Sequence, residues 1–265
     1  MRQYQFKTKR LPAPWNWVLI CLTMVACSVT AEEIDERPAQ APLPAHDAVY
    51  EVLRRGSKIG EVHVSLSQND QGIWLFDTET VATARLARLL RVSAEESAHF
   101  VWRDGQVLML TYRQVARAPT RTRYWQHEAD WDAGISRTQT YEGDLEIELE
   151  NQLVDPLTLR LQLAVELADP ANRGKDLQFR VLERDEVEDQ YFLYQNEETV
   201  DVPAGCFESI RLQRFRREGS SRNYDSWHAE AFHWLPLRIL QTKDDDPELD
   251  IRLLSTTMAL DANGC

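Results

Sequence analysis

The sequence predicts a mostly β fold (β-rich α+β): a single antiparallel, strongly curved sheet or open barrel with one or two short helices. Three observations predict it. Apolar residues alternate with polar ones over short runs, as Val62, Val64 and Leu66 do against Glu61, His63 and Ser65, which is the period of a strand with one buried face. Turn-forming clusters separate such runs, among them Arg55-Gly56-Ser57, Asn69-Asp70-Gln71-Gly72 and Arg103-Asp104-Gly105-Gln106, whose Gly and Asp residues tolerate turn backbones. Consecutive short strands joined by such turns pair antiparallel, whereas parallel pairing needs an intervening helix.

The elements follow in order. Val49–Arg54 and Glu61–Leu66 form the first hairpin, and Ile73–Thr80 follows the Asn69–Gly72 turn. Ala98–Arg103, Leu108–Val115, Arg121–Asp130, Ser136–Tyr141 and Leu145–Glu150 complete the first half. The second half holds Leu177–Glu183, Gln190–Gln195, Glu198–Val202, Glu208–Arg216, Asn223–His228, Pro236–Lys243 and Leu249–Met258. Two segments read as helices. Arg85–Val92 places Leu86, Leu89 and Leu90 on one side and arginines around the other. Asp155-Pro156 opens the second with a capping residue and a proline at the first helical position. Its leucines at 157, 159, 161, 163 and 167 alternate as in a strand, but the start signal and length favour a helix buried on two sides.

The chain ends set the organisation. Residues 1–31 read as a secretory signal peptide: Arg2, Lys7, Lys9 and Arg10 precede an apolar run from Trp17 to Cys27, and Val29 and Ala31 suit a cleavage site. A run of about eleven apolar residues is too short to span a ~30 Å hydrocarbon core. Met24-Val25-Ala26-Cys27 resembles a lipoprotein box, the competing fate in which Cys27 is acylated. Residues 32–47 are rich in charge, Ala and Pro and read as a flexible leader, residues 48–258 as one domain, and residues 259–265 as a tail. The 265 residues carry 30 Lys and Arg against 43 Asp and Glu, a net charge of −13. Cleavage after Ala31 removes four cations and no carboxylate, leaving −17 on 234 residues. That balance argues against a nucleic-acid partner, which requires a cationic surface. After cleavage only Cys206 and Cys265 remain, a pair able to form a disulfide in an oxidising compartment.

Several segments together resemble an exported bacterial family, the domain of unknown function 3108. Tyr50-Glu51-Val52 with Lys58-Ile59-Gly60 is similar to its opening hairpin, and Asp155-Pro156-Leu157-Thr158-Leu159-Arg160 to its helix-starting segment. Val202-Pro203-Ala204-Gly205-Cys206-Phe207-Glu208 resembles its turn-and-strand fingerprint, and Trp227 with Leu235-Pro236-Leu237-Arg238 its closing strands. The resemblance spans about residues 48–257 and implies an antiparallel, mostly β envelope protein with no assigned activity. Cys206 stands where that family's pattern leads one to expect a polar or charged residue.

No catalytic residue, metal ligand or cofactor site is read from the sequence. Trp227-His228-Ala229-Glu230-Ala231-Phe232-His233 has no zinc spacing in either helix or strand. His46, His63, His99 and His127 are scattered and read as surface or satisfied side chains. Glu146, Glu148 and Glu150 share a strand face among polar neighbours, as a solvated surface does. Asp244-Asp245-Asp246 lacks the ligand spacing of an EF-hand. No nucleophile elbow or phosphate loop is present. Aromatics give the one binding hint: Trp74, Trp102, Trp125, Trp227 and Trp234 are candidate ligand-lining residues on a curved sheet. Basic clusters at Arg85–Arg91, Arg117–Arg123 and Arg211–Arg217 either pair with carboxylates or face anionic headgroups. The expectation is a periplasmic, non-enzymatic module that binds a lipid, glycolipid or envelope partner. A polysaccharide or peptidoglycan hydrolase using unrecognised carboxylates and a protein-docking scaffold are the alternatives.

Overall fold

The computed structural model describes residues 41–83, 93–215, 222–244 and 246–260. The expected helix at Arg85–Val92 lies outside the described residues, as do residues 1–40 and Cys265. Strands β1 (His46–Arg54), β2 (Ser57–Gln68), β3 (Trp74–Ala82), β4 (Ser93–Arg103) and β5 (Gln106–Ala118) are followed by β6 (Arg121–Asp130), β7 (Ile135–Thr140) and β8 (Gly143–Glu148). A short β9 (Leu153–Val154) leads into helix α1 (Leu159–Ala168). Then come β10 (Leu177–Leu182), β11 (Val187–Val202), β12 (Gly205–Phe215), β13 (Arg222–His228), β14 (Pro236–Lys243) and β15 (Asp246–Thr256).

Among the described residues, fifteen strands form one sheet, in the order β8-β7-β6-β5-β4-β3-β2-β1-β15-β14-β13-β12-β11-β10-β9. Every pair is antiparallel except β9 with β10. Two meanders are thus joined where β1 pairs with β15. The expected strands Gln190–Gln195 and Glu198–Val202 are one strand, β11. Its exposed Gln195-Asn196-Glu197 reads as a turn, but the strand continues through it with a bulge between Tyr194 and Asn196. β9 is too short to show a period in the sequence. The core domain reaches ahead of position 48, because β1 begins at His46 and Leu43 is buried in the core.

The inner face is built by cross-strand pairing. Leu66, Phe76, Ala98, Tyr112, His127 and Thr138 occupy successive partner positions from β2 to β7, and all are buried. α1 lies against this face and is buried on two sides: Leu157, Leu159, Leu161, Leu163 and Leu167 are all at most 8% exposed. The alternation that mimics a strand has this cause, since a helix enclosed by a curved sheet has little exposed stripe to keep polar. Asp155 supplies the start. Its carboxylate accepts from the Leu157 and Thr158 N–H groups (2.9 and 2.8 Å) and from the Thr158 hydroxyl (2.7 Å), while its carbonyl accepts from Leu159 N–H at 3.0 Å. The helix proper therefore begins after this turn, at Leu159 rather than Pro156.

The sheet does not close by backbone pairing. Its edges, β8 and β9, are separated by only residues 149–152 in sequence, yet side chains bridge the seam. Arg180 donates to Glu150 at 2.6 Å; Arg184 donates to the Tyr141 hydroxyl at 2.9 Å and lies 3.6 Å from Glu142. β8 carries exposed Asp144, Glu146 and Glu148, charges that discourage pairing with a stray strand. β12 pairs with β13 only over Ile210–Arg214, so the rest of the β11–β12 hairpin leaves that ladder. Its tip is held elsewhere: Ala204 N–H donates to the Leu253 carbonyl at 3.1 Å, and Val200, Val202 and Phe207 are buried. Cys206, beside that tip, is buried and disulfide-bonded.

Antiparallel alternation sorts the turns between two ends. The β1–β2, β5–β6, β7–β8, β10–β11 and β14–β15 turns fall at one end, the rim end. The β2–β3, β4–β5, β6–β7 and β11–β12 turns fall at the other, together with residues 149–152 and the start of β10.

Candidate functional site

The strongest candidate is a groove at the second end, where β5, residues 149–154, α1 and β10 meet. It has a volume of about 470 Å³ and is lined by Gln106, Val107, Asn151, Gln152, Val154, Gln162, Glu166, Leu177, Gln178, Phe179 and Arg180. A second hollow of about 330 Å³ shares Gln106, Val107, Asn151 and Gln152 with it and adds Arg103, Asp104, Leu108 and Trp131. The floor is apolar, since Val107, Val154 and Phe179 are buried. The walls are rich in carboxamides, each carrying both donors and an acceptor.

These side chains have two kinds of role. Gln162 is structural: its carbonyl accepts from Val107 N–H at 2.8 Å and its amide donates to Glu166 at 3.1 Å, fixing α1 against β5. Glu166 also accepts from Asn172 at 3.0 Å. Gln178 and Arg180 are tied to Asp189 at 3.1 and 3.3 Å. Asn151 and Gln152, by contrast, are exposed at the lip. Gln152 holds φ at +62°, a backbone region costly for a residue outside Gly, Asn and Asp, and such strain recurs at binding sites. Trp131 is anchored by donating its indole N–H to the Met109 carbonyl at 2.7 Å, which sets a rigid aromatic wall. The amides do not stand out in the sequence, and Trp131 is not among the five candidate tryptophans. A polar Asn-Gln pair between strand runs has no periodicity and reads only as a loop.

The five tryptophans expected to line a ligand are not brought together. Trp74 is buried and stacks on Phe100 at 6.5 Å, and Trp102 meets the same ring edge-on at 5.3 Å. Trp125 packs beside Tyr112 at 6.5 Å. Trp227 is enclosed between the Arg211 and Arg238 guanidiniums at 5.3 and 4.9 Å, and donates to Glu198 at 2.6 Å. Of the five, Trp234 lines a hollow, one of about 270 Å³ that also touches Tyr194, Arg173 and Lys175. His233 and Trp234 take consecutive positive φ values of 50° and 60°. Trp234 is held there through backbone: its N–H donates to the Ala229 carbonyl, and its carbonyl accepts from His228.

The buried titratable side chains are held by local hydrogen bonds. His228 is buried, with Nδ1 2.8 Å from the Trp234 carbonyl and Nε2 2.8 Å from the Ser226 hydroxyl. Nδ1 therefore donates and Nε2 accepts, which fixes the neutral tautomer, and burial lowers its pKa to about 4. His127 is also fully buried, stacked on Tyr112 at 5.8 Å with Nδ1 2.9 Å from Thr138; burial takes its pKa to about 4, against a smaller opposing pull from the Glu183 backbone. Burial raises Asp155 to about 6, partly offset by the hydrogen bonds from Thr158 and Leu157. A carboxyl with a raised pKa is what a hydrolase acid needs, but Asp155 spends its oxygens on the start of α1 and lines neither of the two hollows described above. Among the described residues no three His, Cys, Asp or Glu side chains are grouped to hold a metal ion. None of the described helices is long and apolar enough to cross a membrane.

No family model matches the chain, and no curated protein matches it. Solved structures do. A β-barrel-like protein of domain of unknown function 1849 from Brucella abortus aligns with a TM-score of 0.52 at 10% identity, over 81% of this chain and 97% of that one. MucB aligns at 0.29 and 10% identity, over 83% of this chain, which spans about half (55%) of MucB's length. A candidate lipoprotein from Parabacteroides distasonis ATCC 8503 aligns at 0.33 and 8% identity, over 82% and 97%. At these identities the first likeness shows a shared β-barrel-like fold and nothing further.

Proposed function

We propose that this protein is a non-enzymatic binding module of the bacterial envelope whose ligand is a neutral, hydroxyl-rich molecule of the glycan class. The carrying observation is the groove at β5, α1 and β10: the carboxamides of half-buried Gln106 and exposed Asn151 and Gln152 over an apolar floor, flanked by the anchored ring of Trp131. Amides match hydroxyls in both hydrogen-bonding directions, and an indole face covers the C–H face of a sugar ring. The notion of an acyl chain swallowed by the sheet has less support, because α1 and its leucines occupy the concave face. The periplasmic address rests on residues 1–31 read as a signal peptide, with acylation at Cys27 as the other fate of the same segment. Membership in the domain of unknown function 3108 family rests on the segments quoted for it, of which Val202–Glu208 forms the anchored hairpin tip.

Titration of chitotetraose, maltotetraose and cellotetraose against residues 39–265, a unit that holds the entire described core, tests the reading through tryptophan fluorescence. One of the three is expected to saturate in the millimolar range or tighter, and Asn151→Ala with Gln152→Ala to weaken it at least tenfold. Failure of all three to saturate by 10 mM, or unchanged binding by the double variant, overturns it.

A further inference from the structure

We infer that the ligand is an extended neutral glycan chain, longer than a disaccharide, one unit of which stacks on Trp234 in a hollow beside the amide groove; the inference rests on the glycan reading of that groove. The hollow has a volume of about 270 Å³ and lies between the end of α1, the loop before β10, and β11 and β12. A single wall separates it from the groove. Glu166 of α1 lines the groove and Leu167 lines the hollow, and Glu166 accepts at 3.0 Å from Asn172, which also lines the hollow. A second tie runs through the strands. Leu177 opens β10 in the groove, the preceding Asp176 accepts from the Tyr194 N–H at 2.8 Å, and Tyr194 lines the hollow from β11. Neighbouring strands lie about 4.8 Å apart, so one chain of sugars reaches both sites. The hollow at Trp131 shares Gln106, Val107, Asn151 and Gln152 with the groove on its other side. Three hollows thus stand in series, with an indole at each end.

Trp234 is set in place by its backbone. Its φ of +60° follows one of +50° at His233, a conformation costly for a bulky residue. Its N–H donates to the Ala229 carbonyl at 2.9 Å, and its carbonyl accepts from His228 Nδ1 at 2.8 Å. The ring is half-buried against the core, with its remaining surface in the hollow. A ring already fixed in this way loses little freedom on binding. Tyr194, also half-buried, adds a second amphipathic ring to the same hollow.

The surrounding charges select an uncharged, hydroxylated occupant. Arg173 and Lys175 line the hollow together with Glu197, Glu208 and Glu230, so both signs are present and neither dominates. Glu208 accepts from the Thr199 hydroxyl at 3.0 Å. The other four are exposed, and none makes an ion pair with a described residue. Guanidinium and ammonium groups only donate, and carboxylates only accept, so the neighbouring hydroxyls of one sugar find partners of both kinds here. An anion in the hollow meets three carboxylates, and an apolar ligand strips water from the charges without replacing it.

Calorimetric titration of residues 39–265 with each of the three tetraoses and with its disaccharide (chitobiose, maltose or cellobiose) tests this. The tetraose that saturates is expected to bind at least tenfold more tightly than its disaccharide. Trp234→Ala is expected to weaken the tetraose at least tenfold while the disaccharide, seated in the amide groove, changes less than twofold. Trp234→Phe keeps a ring and is expected to recover most of that loss. Asn151→Ala with Gln152→Ala weakens both lengths, so a defect in the groove and a defect in the hollow leave different patterns. Because Trp234 also packs on the core, Arg173→Ala with Lys175→Ala, both exposed, serves as a second variant. It is expected to weaken the tetraose at least threefold with the disaccharide unchanged. Equal affinity for the two lengths, tetraose binding that survives both variants, or a Trp234→Ala loss shared equally by the disaccharide overturns the inference. If no tetraose saturates, the proposed function falls, and this inference with it.

Discussion

Acidification from pH 7 to pH 5 is expected to destabilise the protein by about 2–3 kcal/mol, with His228 carrying a large share. His228 has an ordinary pKa of 6.5 when unfolded and about 4 in the fold, where burial disfavours its charged form. Its native hydrogen bonds also need the neutral ring: Nε2 must accept from Ser226, and a proton there removes the acceptor. For a group depressed in this way the unfolded chain binds the extra proton, so stability is present above pH 6.5 and is lost as pH falls toward 4. Integrated from pH 7 to pH 5, that loss is about 2 kcal/mol for His228 and about the same for His127, whose pKa is also about 4. Asp155 works in the opposite sense. Its carboxyl is raised from 3.8 to about 6, so protonation on the way to pH 5 returns about 1 kcal/mol. Urea unfolding followed by tryptophan fluorescence at pH 7, 6 and 5 measures the sum. His228→Gln keeps a donor for the Trp234 carbonyl and removes the titration, so the loss between pH 7 and pH 5 is expected to shrink by about 2 kcal/mol relative to the parent. Comparing slopes cancels the many exposed carboxylates shared by both proteins. Stability that holds steady or rises toward pH 5, or the same slope in the variant, refutes the reasoning.

Two further outcomes concern the core and the hairpin. Leu161→Ala empties a fully buried position between α1 and the sheet and is expected to cost about 2–5 kcal/mol by urea denaturation; a cost under about 1 kcal/mol would mean that α1 is not packed as described. Cys206 is disulfide-bonded, and we propose Cys265 as its partner; closing a loop of about 60 residues is expected to contribute about 4 kcal/mol. Mass spectrometry of a non-reduced digest is expected to find those two peptides linked, and a free Cys265 thiol would dismiss the pairing.

The strand pattern is legible wherever one face meets the core and the other meets water. That is why β2, β3 and β5 stand out from alternation alone, with Asp104-Gly105 marking the turn that leads into β5. It fails where polarity stops reporting burial. The exposed Gln195-Asn196-Glu197 resembles a break in β11 but is a bulge, because a bulged strand can turn both faces outward for a few residues. The tryptophans mislead for a related reason: an aromatic on a curved sheet scores the same whether it lines a cavity or fills one, and Trp74, Trp102 and Trp125 meet other rings. The groove is illegible because its amides, on the loop at Asn151-Gln152 and at the start of β5, are ordinary polar residues whose convergence depends on the parallel pairing of β9 with β10, which no local pattern encodes.

The end that each turn reaches, in contrast, is encoded in turn parity. In an antiparallel meander every second turn falls at the same end, so strand order alone sorts the turns without any long-range contact. Arg54-Arg55, Arg121–Arg123 and the acidic Asp244 and Asp246 of the β14–β15 turn occupy turns of one parity, while Asp70, Asp104, Asp130 and Asp132 occupy turns of the other. Parity therefore sets position and not sign: Arg55 shares one hollow with Asp244, Asp246 and Glu248. The amide groove falls at the other end because β5 and β10 begin there and residues 149–152 turn there, so its place follows from strand order although its side chains do not.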